Sequence, residues 1–404
     1  MKKIEGGVCA PIGFRANGVH CGIRKNKTKR DLSLIVSDVR AAAACVYTQN
    51  LVKGAPIRVT KRHVADGYAQ AIVCNSGNAN TCNADGEEIA EGMCALVEGQ
   101  TGIPAADVVV ASTGVIGQPL SLEPIRAGMP SLAEGLSEDG SLFAAQGIMT
   151  TDTVDKQIAY SFTLGGKECR IGAIGKGVGM INPNMATMLI FITTDASISP
   201  EMLQKALSAD VKDSFNMVSV DGDTSTNDMV CVLANGMAEN EPVTAPGKDF
   251  TVFRKALNKV TTALCRSIAK DGEGATKLLE CKVTGAKSRQ AARTVAKSVI
   301  KSSLFKAAMF GADANWGRVL CAIGYAGAEV DIGRVSVDFR SRAGTVAVCR
   351  EGSGIPFSEE EAKKVLSEDE IEVLIRLGDG NGKATAWGCD LTYDYVKING
   401  DYRT

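Results

Sequence analysis

Residues 188–192, "MLIFI", set the tightest limit on how this chain folds. Five apolar side chains in a row leave no polar face, so the run reads as a strand covered on both sides. Just ahead of it stands "INPNM" (181–185), a strong turn former, because proline fixes φ and asparagine tolerates bent backbone. The chain therefore passes from a polar turn through one small residue, Ala186, into Thr187 and then a core strand. That junction is a rigid seat for a reactive group. The plain alternative is a β-branched residue that merely starts a strand.

Other apolar runs end in small or turn residues: "LSLIVSDV" (32–39), "AQAIVCNSGN" (69–78) and "DVVVASTGVIG" (107–117). Each predicts a buried strand running into a tight turn. Helical periodicity lies between them, as over 85–103, with acids in the first turn. After Thr187 a strand is expected at 188–194, a helix from about Pro200 to Asn216, a strand near 228–234 and a helix over about 248–270. A Lys/Arg/Ala-rich amphipathic helix (287–308) follows a change of texture, which puts an expected domain boundary near 280. Strands and helices interleave without a repeating βαβ period. The expected class is α/β in the layered, α+β sense: stacked helices and sheets rather than a barrel or doubly wound sheet, with a smaller C-terminal α/β domain.

The 404 residues exceed what one core serves well, and 45% apolar with 23% charged residues is ordinary for a globular chain. Net charge is −1, with no basic block interleaved with aromatics, which argues against nucleic-acid or membrane-surface binding. No apolar run is long enough to span a bilayer, and "MKKIEGGVCAPIGF" lacks the apolar core of a secretory signal, so a cytoplasmic protein is expected. The 13 cysteines are scattered singly (Cys45, Cys74, Cys231 and Cys321 among them) without a C-x-x-C pair, as for buried thiols in a reducing compartment. Only His20 and His63 could serve a zinc site or a Ser-His-Asp triad.

With histidine this scarce, the most economical base for a Thr187 nucleophile is the α-amine of the same residue. That amine exists only if the Ala186–Thr187 peptide is cut. It would titrate near pH 8, suited to taking a hydroxyl proton at neutral pH. Ala186 has no bulk to hinder attack on its own carbonyl. "GAIGKGVGM" around Lys176 glances toward a phosphate loop but fails it: Arg170 stands where glycine belongs and Gly177 where Ser or Thr would hold a metal. "DGDTS" (221–225) imitates the start of a calcium loop, yet Thr226 replaces the required glycine and Val232 the closing glutamate. Neither a metal nor another cofactor is expected.

"GKGVGMINPNMATMLIFITTDA" (175–196) resembles the self-cleavage signature of the ornithine acetyltransferases, also called glutamate N-acetyltransferases, of arginine biosynthesis. The likeness covers nearly the whole chain, in order: "CNSGNANTCNADG" (74–86), "ASTGVIGQPL" (111–120), "MTTDTVDK" (149–156), "VDGDTSTND" (220–228), "DGEGATK" (271–277) and "KINGDYRT" (397–404). It implies a precursor that cuts itself between Ala186 and Thr187 into chains 1–186 and 187–404. These would assemble as an α2β2 heterotetramer with a core resembling self-processing amidohydrolases. It also implies Thr187 as nucleophile, Thr113 and Gly114 as oxyanion hole, and substrate contacts at Thr153, Lys176, Thr187, Glu273, Asn399 and Thr404. The C-terminal tail would return to the active site.

The expected reaction moves an acetyl group from N2-acetyl-L-ornithine to L-glutamate by way of acetyl-Thr187, with acetyl-CoA serving as a further donor in some members. Rival readings are a self-cleaving aminopeptidase or amidase, in which water replaces glutamate, and, remotely, a glycine-rich nucleotide-binding protein without covalent chemistry.

Overall fold

The structure, a computed structural model, describes residues 1–182 and 188–400. Two compact units divide the chain. The first comprises Met1–Gly177, Asn184–Lys212 and Thr224–Leu264; the second comprises Val178–Pro183, Asp213–Asp223 and Cys265–Thr404. Position 280, where the texture of the sequence changes, lies inside the strand Leu278–Ala286 of the second unit. Both units are mixed α/β with sheets and helices in layers, as the interleaved pattern implies.

A nine-stranded sheet carries the first unit. Its order runs Lys2–Ile4, Lys156–Leu164, Lys167–Lys176, Leu189–Thr194, Met229–Ala234, Leu32–Tyr47, Tyr68–Asn78, Val108–Val115, with Phe14–Val19 also paired to Leu32–Tyr47. Two neighbouring pairs are parallel: Leu189–Thr194 with Met229–Ala234, and Tyr68–Asn78 with Val108–Val115. Each needs a crossover, and a helix supplies it: Pro200–Asp210 for one, Gly86–Thr101 for the other. Ala90, Met93, Cys94 and Val97 repeat at helical spacing and pack beneath Leu34, Val73, Val108 and Val110 on one sheet face. On the other face Ile35, Ile72 and Val109 join Ile174, Leu189, Phe191, Met229 and Leu233 in one cluster. Every residue of 188–192 is at most 1% exposed, and from Leu189 on each has a paired strand on either side. Burying each such side chain is worth about 1.5–3 kcal/mol.

The second unit holds a seven-stranded sheet: Ser353–Gly354, Gly344–Arg350, Ser336–Ser341, Glu370–Arg376, Leu278–Ala286, Gly382–Cys389 and Val218–Ser219. The helix Arg289–Lys301 buries Ala292, Val295, Ala296, Val299 and Ile300.

Three elements differ from expectation. The run 32–39 is only the start of the strand Leu32–Tyr47, because a register shift lets exposed Asp38, Val39 and Arg40 bulge out before pairing resumes. The helix expected to reach Asn216 stops at Asp210, whose carboxylate accepts from Asn258 Nδ2 and Thr261 Oγ1. Asp213, three residues on, already belongs to the second unit, paired with Arg289 and Arg293. The long helix over 287–308 is two helices, Arg289–Lys301 and Ser303–Phe310. Ser302 leaves helical geometry (ψ 110) and caps the second through Phe305 N.

All 13 cysteines are free and ten are buried. Cys321, expected in an apolar setting, is exposed, since Val319, Ala322 and Ile323 form the inward face of its helix. Among the described residues no helix is long and apolar enough to cross a membrane.

Candidate active site

Thr113 ends the buried part of the strand Val108–Val115 and half-buried Gly114 follows it, the two level with Ser76 and Gly77 of the parallel neighbour. Gly114 has φ +135, and a Cβ there would run into the Gly77 carbonyl and lie 2.5 Å from Asn78 N. Only glycine lets the two backbones approach this closely. Asn227 braces the strand end: its amide donates to Ser112 O (2.9 Å) and Ala79 O (2.5 Å), and its Oδ1 accepts from Thr81 Oγ1 (2.6 Å). Nothing in the sequence reading marked Asn227, since its partners lie far away along the chain.

Lys176 closes the strand Lys167–Lys176, opposite Leu189. Its ammonium donates to Thr150 Oγ1 at 3.2 Å. Thr150 N in turn donates to Asp152 Oδ2 (2.9 Å), while Asp152 Oδ1 accepts from Lys156 Nζ (2.8 Å) and Gly177 N (3.0 Å). The Asp152 and Lys156 side chains are wholly buried. Burial alone would push Asp152 up, but Lys156 and Lys176 with their hydrogen-bonding neighbours outweigh it and hold the carboxyl at about 2. Burial pulls Lys176 down, against the opposing pull of Asp152 and Asp228. Asp228 itself is pushed well above the usual carboxylate range by burial, with Ser225 and Lys176 too weak to offset it. Its Oδ2 is buried without a hydrogen-bond partner among the described residues. Asp228 precedes Met229, whose N–H donates to Met188 O (2.9 Å), and Met188 is the residue bonded to Thr187. Thr153, next to Asp152, is exposed.

In the second unit Glu273 and Asn399 come together: Asn399 Nδ2, on the helix Tyr393–Gly400, donates to Glu273 Oε2 at 2.8 Å. Glu273 is buried, not a turn acid facing water. Its N–H donates to Val178 O (2.9 Å), and its carboxylate packs on the bare α-carbon of Gly179, where a Cβ would sit 2.5 Å from Glu273 Cδ. Ala186, Thr187 and Thr404 lie outside the described residues.

Both histidines are engaged elsewhere. His20 Nδ1 is 2.9 Å from Lys29 O; His63 is bonded to Val108 O (2.8 Å) and Glu91 (3.1 Å). The buried carboxylates and lysines around Lys176 escaped sequence reading, although "MTTDTVDK" held a signal: an acid and a lysine four residues apart, on either side of Thr153.

Residues 15–404 match the family model described as the ArgJ family. An Arginine biosynthesis bifunctional protein ArgJ of Clostridium acetobutylicum is 50% identical over 392 residues, covering 97% of this chain and 96% of that protein. The Bacillus subtilis protein of that description is 47% identical over 404 residues, covering 100% of this chain and 98% of its own length. Among solved structures, the crystal structure of Arginine biosynthesis bifunctional protein argJ from Bacillus halodurans is 50% identical with a TM-score of 0.51, covering 53% of this chain and 99% of that one. A match along this much of its length, at this identity, leaves one conclusion: the chain belongs to the ArgJ family, the bifunctional enzymes of arginine biosynthesis.

Proposed function

We propose that this acetyltransferase of arginine biosynthesis is a glutamate N-acetyltransferase that moves an acetyl group from N2-acetyl-L-ornithine to L-glutamate through an ester on Thr187. The observation that carries the reading is the family match over 15–404. The precursor first cuts itself. Thr187 Oγ attacks the Ala186 carbonyl carbon, the bond to Thr187 N breaks as that nitrogen takes the hydroxyl proton, and water hydrolyses the resulting ester. Cleavage has support in the Bacillus halodurans structure, where a chain matched over 99% of its length accounts for 53% of this one. Residues 187–404 make up a similar share of the 404.

In the transfer, Thr187 Oγ attacks the acetyl carbonyl of the donor while the Thr187 α-amine takes its proton. Thr113 and Gly114 donate to the oxyanion; the forced backbone approach at Gly114 supports a fixed donor there. The C–N bond breaks, the proton passes to the departing ornithine nitrogen, and an acetyl ester remains. The glutamate amine attacks the ester, the C–O bond breaks, and Thr187 Oγ recovers a proton. One amide replaces another, so the exchange is close to thermoneutral and calls for no ATP or cofactor. Lys176 receives the α-carboxylate common to both amino acids. Thr153, Glu273, Asn399 and Thr404 supply the remaining contacts, with Glu273 suited to an ammonium. Acetyl-CoA serves as a second donor, the two fragments pair as an α2β2 heterotetramer, and the enzyme works in the cytoplasm.

Intact-mass spectrometry of purified protein, with and without N-acetyl-ornithine, tests this. Two fragments breaking before Thr187 are expected. Donor alone should add one acetyl group to the fragment that starts at Thr187, and glutamate should remove it. An uncut chain, or an acetyl group on another residue, overturns the reading. Acetyl-CoA in place of N-acetyl-ornithine decides the second donor.

A further inference from the structure

One segment of the first unit stays outside the chemistry above. Residues 24–30, "RKNKTKR", carry five cations in seven positions. Lys25, Lys27 and Lys29 are exposed, and among the described residues none of them enters an ion pair. The nearest acid along the chain, Asp31, is buried and occupied with closing the loop. Its carboxylate accepts from Cys21 N (2.6 Å), Arg24 N (2.9 Å) and Gly22 N (3.3 Å). Asn26 Oδ1 turns the tip by accepting from Thr28 N (2.9 Å) and Thr28 Oγ1 (2.7 Å). Arg30 is tied back: Nη1 donates to Gly18 O (2.5 Å), Nε donates to Gln146 Oε1 (3.2 Å), and the guanidinium lies over the Phe143 ring. Three like charges thus share one exposed turn, a local field that favours an anion.

The base of this loop lies against the candidate active site. Cys21 and Ile23 pack on the core cluster of Leu34, Val73 and Val110. A Cβ on Gly77 would lie 2.8 Å from Arg24 Cγ, and a Cβ on Gly114 would strike the Gly77 backbone, so Arg24 and Gly114 border the same residue. Arg24 Nη2 donates to Met149 O, and the next residue, Thr150, accepts from Lys176 Nζ (3.2 Å). Lys27 stands three residues from Arg24, a span of at most about 11 Å.

The amino-acid substrates are short, and Lys176 takes their α-carboxylate. An anion that reaches the exposed tip while its acetyl group lies at Gly114 must hold the two apart on a long linker. Acetyl-CoA has that form, with a thioester at one end of its pantetheine arm and phosphoryl groups at the other. Lysine suits such a ligand, because its mobile ammonium meets phosphate as a point charge. Resting on the proposed transfer and its second donor, we infer that the loop 24–30 is the phosphate subsite for acetyl-CoA. Lys25, Lys27 and Lys29 pair with its phosphoryl groups while the thioester reaches Thr113 and Gly114.

The test compares wild type with a variant carrying Lys25→Gln, Lys27→Gln and Lys29→Gln. The donors are acetyl-CoA, acetyl-pantetheine, which lacks the charged phosphates, and N-acetyl-ornithine, with glutamate as acceptor. All three side chains are exposed, so the thermal midpoint should stay near wild type. A surface ion pair is worth a factor of about two to five, so KM for acetyl-CoA should rise roughly tenfold to a hundredfold. It should approach the value for acetyl-pantetheine. The variant should leave that value unchanged, along with KM for N-acetyl-ornithine and for glutamate. Added salt should raise KM for acetyl-CoA in the wild type and hardly at all in the variant. An unchanged KM for acetyl-CoA overturns the inference; so does an equal rise for acetyl-pantetheine or glutamate. A wild type that takes acetyl from N-acetyl-ornithine but not from acetyl-CoA also overturns it, and leaves the ornithine-to-glutamate reading standing. A wild type that takes acetyl from neither defeats that reading itself, and this one with it.

Discussion

Replacing Lys156 with methionine strands a charge inside the first unit. Lys156 Nζ lies 2.8 Å from Asp152 Oδ1, and neither side chain has exposed surface. The substitution leaves the Asp152 carboxylate with the N–H groups of Gly177 and Thr150, its hydroxyl contact to Thr150 and the more distant Lys176. Removing one partner of a wholly buried pair costs about 3–5 kcal/mol, mostly as the penalty of a charge left without its counterion. Removing both charges avoids that penalty, so Asp152→Asn with Lys156→Met should recover about 1–2 kcal/mol relative to Lys156→Met alone.

Urea unfolding followed by far-UV circular dichroism reads these differences. The acid limb gives a second reading. Asp152 is held at about 2, against about 3.9 for an unfolded aspartate, so its contribution is complete above about pH 4 and fades as pH falls through about 2. That contribution is on the order of 2 kcal/mol, and the double variant should lack it. Lys156→Met within about 1 kcal/mol of wild type, or a double variant less stable than the single, would refute the argument.

Thr187→Ala should yield one uncut 42.3 kDa band and no acetyl-enzyme; two fragments, or an acetylated variant, would count against Thr187 as both cleavage and transfer nucleophile. Gly179→Ala drives a Cβ into the Glu273 carboxylate, so KM for the amino-acid substrates should rise with little change in thermal midpoint. An unchanged KM removes Glu273 from substrate binding. Gly114→Ala combines φ +135 with a collision against Gly77 backbone that cannot swing away. We expect kcat to fall by about 10²–10³-fold and stability to drop by about 1–3 kcal/mol. Normal turnover would mean that another group holds the oxyanion.

Much of the frame was legible beforehand. The run 188–192, the strands at 69–78 and 107–117 and the long helix at 248–270 carry their signal in apolar spacing and turn residues, which neighbours along the chain can read. Where the forecast slipped, a single polar side chain decided. Ser302 satisfies a helix start in mid-segment, and Asp213 pairs with arginines far down the chain. The pattern around 221 resembled a metal loop because spacing alone cannot say what a carboxylate faces. In the folded chain Asp221 is occupied by backbone N–H groups of 180 and 181.

The sequence by itself determined the polar turn before a buried strand, the family, and the types of residue available for chemistry, because these depend on local spacing and composition. Only the tertiary structure decided which of those residues are charged, gripped or strained. Asp152 keeps its charge because Lys156 and Lys176 stand beside it, whereas burial favours the neutral form of Asp228 with Lys176 too weak to reverse it. Met180 is bent because a carboxylate 41 residues away holds it. A group's ionisation and a backbone's strain are set by what surrounds them in space, and here those surroundings come largely from distant parts of the chain.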